Sequence, residues 1–197
     1  MATAYIVDAV RTAGGRRNGK LAGWHPVDLA AATLDTLVAR TGMDGAKIDD
    51  VIMGCVTQAG QQAMQVGRNA VLAAKNIPDS VPAVTIDRQC GSSQQAMQFA
   101  AQAVMSGTMD VVIASGVESM TRVPMGSNAM FHMKEGLGHY KSPRLDEKYP
   151  GIMFSQFMGA EMLVKKYGFS REDLDQFALE SHQKAIAATQ SGSLPMK

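Results

Sequence analysis

Cysteine is scarce in this chain: Cys55 and Cys90 are the only two among 197 residues. Two thiols do not make a disulfide framework, and the sequence has no Cys-x-x-Cys pair of the kind that binds zinc. The four histidines show no paired spacing either. These absences exclude a small disulfide-stabilised scaffold. They also predict a reducing compartment and no bound metal ion.

The sequence also lacks a large excess of positive or negative charge and lacks long apolar runs. The formal net charge is +1 and no long basic run occurs, so we expect neither nucleic acid nor an anionic membrane surface as a partner. No run approaches the roughly 18 consecutive apolar residues of a membrane span. Residues 1–8 show no basic region followed by an apolar stretch, which predicts a cytoplasmic protein. A mitochondrial form whose transit peptide lies outside this sequence stays open.

Apolar residues, by contrast, make up 46% of the chain, enough to bury the core of one domain or one and a half. In the first 120 residues short β-type runs alternate with longer Ala/Leu-rich segments, which predicts an α/β fold with a mostly parallel sheet covered by helices. The predicted strands are Tyr5–Val10, Asp50–Val56, Val81–Ile86 and Met109–Ser115. The predicted helices between them are Pro26–Arg40, Gln65–Lys75 and Gly91–Ser106.

The pattern changes after residue 120, so we predict one domain over 1–120 and a second, mainly helical region over 121–197. Residues 121–153 carry prolines, glycines and methionines without periodicity and predict a long irregular segment. Helices are predicted over 154–167 and 171–189, the second with Ser170 and Asp173 as its N-terminal cap. Residues 192–197 predict a terminal loop.

Cys90 lies where the strand Val81–Ile86 gives way to the helix Gly91–Ser106. This places the thiol at the first turn of a helix and at the carboxyl end of a strand, where sites form in parallel sheets. Unpaired backbone N–H groups and the positive end of the helix dipole favour a thiolate there, which makes Cys90 a candidate nucleophile. A small buried hydrophobe is the alternative for Cys90. Cys55, at the end of a strand, is most simply a core residue.

Four ordered motifs make the sequence similar to the N-terminal half of thiolases, the acetyl-CoA acetyltransferases and acyl-CoA acyltransferases. They are Ile6-Val7-Asp8-Ala9-Val10-Arg11-Thr12, Asp50-Val51-Ile52-Met53-Gly54, Cys90-Gly91-Ser92-Ser93 and Gly116-Val117-Glu118-Ser119-Met120-Thr121. The similarity extends over Asp173–Ser181 and covers residues 4 to about 193. It implies a thiolase-like layered domain followed by part of the family's inserted loop region.

The resemblance implies acyl transfer to and from coenzyme A through an acyl-cysteine, with Cys90 as the nucleophile. Coenzyme A and acyl-CoA are then the substrates, no metal is required, and the setting is fatty acid metabolism. The backbone N–H of Cys90 is implied as one oxyanion donor. The resemblance implies that the loop region over 121–197 helps to bind coenzyme A and the acyl group, but it assigns no single residue to coenzyme A binding. It implies a homo-oligomer, a dimer or a tetramer.

Three later family motifs do not occur in these 197 residues: Asn-Glu-Ala-Phe, Gly-His-Pro with the histidine that activates the nucleophile, and Cys-x-Gly-Gly-Gly with the acid/base cysteine. None of the histidines matches a family catalytic position. They are His25, His132, His139 and His182. The C-terminal domain is therefore expected to be a separate partner, and the isolated chain is expected to be inactive. A non-catalytic thiolase-like subunit acting in binding or assembly is the alternative.

Two features bear on the substrate. Short-chain biosynthetic thiolases carry a His-Met pair where this chain has Ser155 and Gln156, so a degradative enzyme for longer or branched 3-ketoacyl-CoA is at least as well supported as an acetoacetyl-CoA enzyme. Methionines also cluster in the loop region, where adaptable thioether side chains suit either an acyl pocket or ordinary core packing. They are Met120, Met125, Met130, Met133, Met153 and Met158.

Overall fold

A three-stranded parallel sheet forms the centre of the fold in the computed structural model, which describes residues 3–193. The strands are β1 (Asp50–Gly54), β2 (Ala83–Ile86) and β3 (Val112–Gly116), in the order β2-β1-β3. In the central strand Val51 lies opposite Ala83 on one side and Ile113 on the other. The predicted α/β fold with a parallel sheet is confirmed, although each strand is shorter than predicted.

Three helices cover the two faces of this sheet: α1 (Pro26–Thr41), α2 (Val66–Ala73) and α3 (Ser92–Ser106). Val51 and Met53 of β1 pack in one apolar cluster with residues of α1 and α2, whereas Ile52 packs with Ala96 and Ala100 of α3. Successive side chains of a strand point to opposite faces. Because β1 is covered on both faces, its sequence is a continuous apolar run instead of an alternating one.

Local signals fix the ends of α1, which is one residue longer than the predicted Pro26–Arg40. Pro26 occupies its first turn and His25 is its N-cap, where the imidazole accepts the N–H of Val27. Gly42 ends the helix at φ 64, a left-handed conformation that glycine adopts without steric penalty. Its N–H donates to the carbonyl of Val38.

The predicted strand Tyr5–Val10 is wrong. Residues 4–10 form no helix or strand and pair with no strand among the described residues, and the exposed fractions of Tyr5, Ile6 and Val7 are 82%, 75% and 85%. A β-branched run becomes a strand only where a neighbouring strand takes up its backbone N–H and C=O groups. An exposed ion pair of 3.0 Å between Asp8 and Arg40 connects this segment to α1.

The segment 121–153, predicted to be irregular, is irregular only in part. It contains two short helices, α4 (Ser127–Lys134) and α5 (Pro143–Lys148). Neither is long enough to show periodicity in the sequence. The predicted helices that follow are confirmed as α6 (Gln156–Tyr167) and α7 (Arg171–Gln190). The cap of α7 is a reciprocal capping box between Ser170 and Asp173.

The chain forms two compact units, Met1–His139 and Tyr140–Lys197. Although its sequence pattern changes after residue 120, hydrogen bonds attach the next residues to the first unit. Thr121 accepts the N–H of Asn18, and the guanidinium of Arg122 donates to the carbonyl of Ala22. Residues 194–197 of the predicted terminal loop lie outside the described residues.

In the second unit, no residue of helices α5, α6 and α7 is buried. Large apolar side chains are exposed along both α6 and α7, with Phe157 at 82% and Phe177 at 77%. Over residues 3–193 no helix combines the length and apolarity that crossing a membrane requires.

Candidate active site

Cys90 lies in the turn between β2 and α3 and is exposed. The structure corrects its predicted place in the first turn of the helix: α3 begins at Ser92 and Gly91 is its N-cap, so the thiol stands one residue before the cap. Gln89, three residues before α3, adopts a left-handed conformation with φ 48. The alternative of a buried Cys90 does not hold.

Ser92 organises this turn. Its hydroxyl accepts the backbone N–H of Arg88 at 2.9 Å and donates to the carbonyl of Gln89 at 2.6 Å. The N–H of Gln89 donates to the Asp87 carboxylate at 2.6 Å. The chain on either side of the thiol is therefore held by short, specific hydrogen bonds.

Glycines at the carboxyl ends of β1 and β3 bring the start of α3 against the sheet. A Cβ at Gly54 would lie 2.8 Å from Ser93 Cα and closer still to the Ser93 nitrogen, and a Cβ at Gly116 would overlap the Ser93 hydroxyl. Both glycines belong to the quoted motifs, but sequence reasoning gave them no role. The signal that could have found them is a glycine ending each of two apolar strands.

We expect Gly54→Ala to lower the free energy of unfolding by about 1–3 kcal/mol or to prevent folding, because the added methyl must displace helix backbone. Gly23→Ala is the matched control, since Gly23 has open space around it and should change stability by no more than about 0.5 kcal/mol. Urea unfolding followed by circular dichroism measures both. Equal stabilities of the two variants would contradict the close approach.

The second thiol, Cys55, follows β1 directly and is 1% exposed. Burial, followed by the nearby charge of Glu118, its hydrogen bond to the thiol and the charge of Asp87, raises the pKa of Cys55 to about 12. This cysteine therefore stays a neutral thiol at physiological pH. Its predicted place in the core is confirmed.

Glu118 binds the chain that leaves β1. Its carboxylate accepts the N–H of Val56 at 2.7 Å, the N–H of Thr57 at 3.2 Å and the amide of Gln62 at 3.0 Å. Gln62 is fully buried and also accepts the N–H of Ser119 at 2.6 Å. The loops after β1 and β3 are thus joined at the edge of the sheet where Cys90 follows β2.

An open groove of about 680 Å³ lies between these same two loops. Its walls are mostly apolar and include Met125, Met130 and Phe131. Two of the clustered methionines therefore line a groove and do not fill a core. His132 also lines it, with its ring edge-to-face on Phe131.

The remaining histidines are distributed over both units. His25 caps α1, His139 lies beyond α4 and His182 lies in α7. Over residues 3–193 no group of three or more His, Cys, Asp or Glu side chains could hold a metal ion.

Comparison with known proteins identifies the family. The model of the family domain described as "Thiolase, N-terminal domain" matches residues 4–196. The steroid 3-ketoacyl-CoA thiolase of Mycobacterium tuberculosis is 47% identical over 98% of this chain and 47% of its own length. A 3-ketoacyl-CoA thiolase of Yersinia pestis is 42% identical over 98% of this chain and 47% of its own length.

A solved structure agrees in fold. The acetyl-CoA acetyltransferase of Bacillus anthracis superposes with a TM-score of 0.70 and 35% identity over 90% of this chain and 45% of its own. The chain thus spans about half the length of the relatives it matches. On the match over residues 4–196 and these identities, the chain belongs to the thiolase family.

Proposed function

We propose that this chain carries the nucleophile of a degradative thiolase, with Cys90 as the residue that takes the acyl group from a 3-ketoacyl-CoA. The observation that carries the proposal is the contrast between the two thiols. Cys90 is exposed at the carboxyl edge of the sheet, whereas Cys55 is buried with a pKa of about 12. A thiolate is the reactive form of cysteine, so only Cys90 is suited to attack a substrate.

In the thiolysis direction the Cys90 sulfur attacks the 3-keto carbon. The bond between carbons 2 and 3 breaks, and acetyl-CoA leaves as its enolate, which takes up a proton. The shortened acyl group stays on Cys90 until the thiol of a second coenzyme A attacks it, which releases acyl-CoA and restores the cysteine. The histidine and cysteine that move the protons belong to motifs outside these 197 residues, and we assign them to a C-terminal half.

The groove beside Met125 and Met130 is the proposed site of the acyl chain. The groove opens between the loops that follow β1 and β3, and Cys90 follows β2. The two loops and Cys90 therefore all lie at the carboxyl edge of one sheet. Flexible thioether side chains adapt to different apolar shapes. Relatives named for 3-ketoacyl-CoA and steroid 3-ketoacyl-CoA support an acyl group larger than acetyl.

A C-terminal half and further copies of the complete unit are the proposed partners. Helices α6 and α7 expose large apolar side chains along their length, which favours association. The helices of the first unit differ in this respect. Leu34 of α1 is buried in the chain's own core, whereas Met97, Phe99 and Met105 of α3 are exposed.

The proposal is tested by exposing the chain, together with its C-terminal half, to acetyl-CoA and mapping peptides by mass. We expect the added acetyl group on Cys90, retained in Cys55→Ala and absent in Cys90→Ala. Acetyl mainly on Cys55 would refute the assignment. A complex that takes up no acetyl group but still binds acyl-CoA would favour the non-catalytic subunit.

A further inference from the structure

We infer that Ser92 is a positioning residue whose buried hydroxyl holds the turn 87–91 in the conformation that presents the Cys90 thiol; the inference rests on the acyl transfer proposed above. Ser92 is 4% exposed, yet it is polar. A polar group buried in a protein is normally hydrogen-bonded. Here both bonds go to the backbone of the turn that carries the thiol.

The two bonds have complementary directions. The hydroxyl oxygen accepts the N–H of Arg88, two residues before the thiol, and the hydroxyl hydrogen goes to the carbonyl of Gln89, immediately before it. The Asp87 carboxylate lies farther from the hydroxyl, at 3.5 Å, and accepts the N–H of Gln89 instead. The one hydroxyl of Ser92 therefore accepts a hydrogen bond from Arg88 and donates one to the next residue, Gln89.

Gln89 is the residue that needs this support. Its φ of 48 is in the left-handed region, which is unfavourable for a side chain with a Cβ. Its carbonyl accepts two hydrogen bonds from Ser92, one from the N–H at 3.0 Å and one from the hydroxyl at 2.6 Å. Without the hydroxyl the turn keeps the strain and loses the shorter of these bonds.

Ser92 is itself fixed to the sheet. It begins α3, and Gly54 at the end of β1 allows the backbone of Ser92 and Ser93 to approach that strand closely. The position of the thiol is therefore connected to the sheet through Gly54, Ser92 and the turn. Small displacements of a reacting group reduce rates strongly, so this connection has a chemical purpose beyond stability.

The test is the rate at which iodoacetamide alkylates Cys90 in the 197-residue chain near neutral pH, measured by peptide mass mapping. We expect Ser92→Ala to lower the rate constant about two- to fivefold, because the thiol is then no longer held in one orientation. Ser106→Ala is the matched control, because that exposed hydroxyl donates to the Ala103 carbonyl of the same helix.

A rescue variant addresses the strain directly. Asparagine tolerates the left-handed region better than glutamine, so Gln89→Asn in the Ser92→Ala background should restore at least half of the lost rate. Cys55 reports on the fold in the same samples, since it is buried and stays unlabelled while the chain is folded. If Ser92→Ala labels Cys55, Ser92→Gly takes its place, because it also removes the hydroxyl and adds no atom to the buried site.

An unchanged Cys90 rate in Ser92→Ala, with Cys55 protected, would overturn the inference. An equal loss in Ser106→Ala would also overturn it, as would a wild-type rate in Ser92→Gly where that variant is needed. Alkylation does not depend on acyl transfer. If the wild-type complex never takes an acetyl group on Cys90, the proposed function is rejected and the alkylation result still stands. If Ser92→Ala is acetylated at the wild-type rate, only the positioning role is rejected.

Discussion

The 197-residue chain by itself is expected to show no measurable thiolysis of 3-ketoacyl-CoA, and addition of a C-terminal half should produce turnover. Catalytic groups that act as a unit have strongly non-additive effects on the rate. Without the activating histidine and the acid/base cysteine, the rate of thiolysis should therefore fall roughly 10⁴-fold or more. The measurement is the disappearance of 3-ketoacyl-CoA with and without the second half, each at matched protein concentration.

Cys90→Ala in the reconstituted complex is the control for this experiment, because it removes the proposed nucleophile and leaves the second half intact. Near-normal turnover by the rigorously purified chain alone would contradict the prediction and mean that a residue present here replaces the missing groups. His132 and His139 would then be the first to change, and of these His132 already lines the groove beside Met130.

The second large effect expected is selectivity between the two thiols. Below pH 9 iodoacetamide should label Cys90 and leave Cys55 unmodified in the folded chain, whereas urea-unfolded chain should label both. The pKa of Cys55, about 12 against an ordinary value near 9, lowers its thiolate fraction about a thousandfold at neutral pH, and burial excludes the reagent as well.

The same pKa gives a direction for the pH dependence of stability. Because the folded state holds the Cys55 proton more tightly than the unfolded state, this group's contribution to stability is fully present below about pH 9 and is lost as the pH rises toward 12. Cys55→Ala should flatten the alkaline decline measured by urea unfolding. An identical decline in both proteins, or rapid native labelling of Cys55, would contradict the assigned environment.

One predicted element fails where others succeed because the elements depend on contacts of different range. The helix ends depend on residues at or within a few positions of each end, Pro26 and Gly42 for α1 and Ser170 with Asp173 for the start of α7, so local rules suffice. A strand over Tyr5–Val10 needs a second strand to pair with its backbone, and a local pattern does not show whether one is present. Within the described residues no strand pairs with this segment.

By itself the sequence determined the alternation of strands and helices, the family, and the choice of Cys90 as the thiol at a junction between strand and helix, because each follows from short-range pattern or ordered motifs. Only the tertiary structure decided how the two thiols differ. Cys55 acquires its raised pKa from burial and from Glu118, which lies far away in the chain. Ser92 acquires its place from Gly54 at the end of another strand. These contacts join segments that are distant in sequence, and no local pattern encodes which of them will meet.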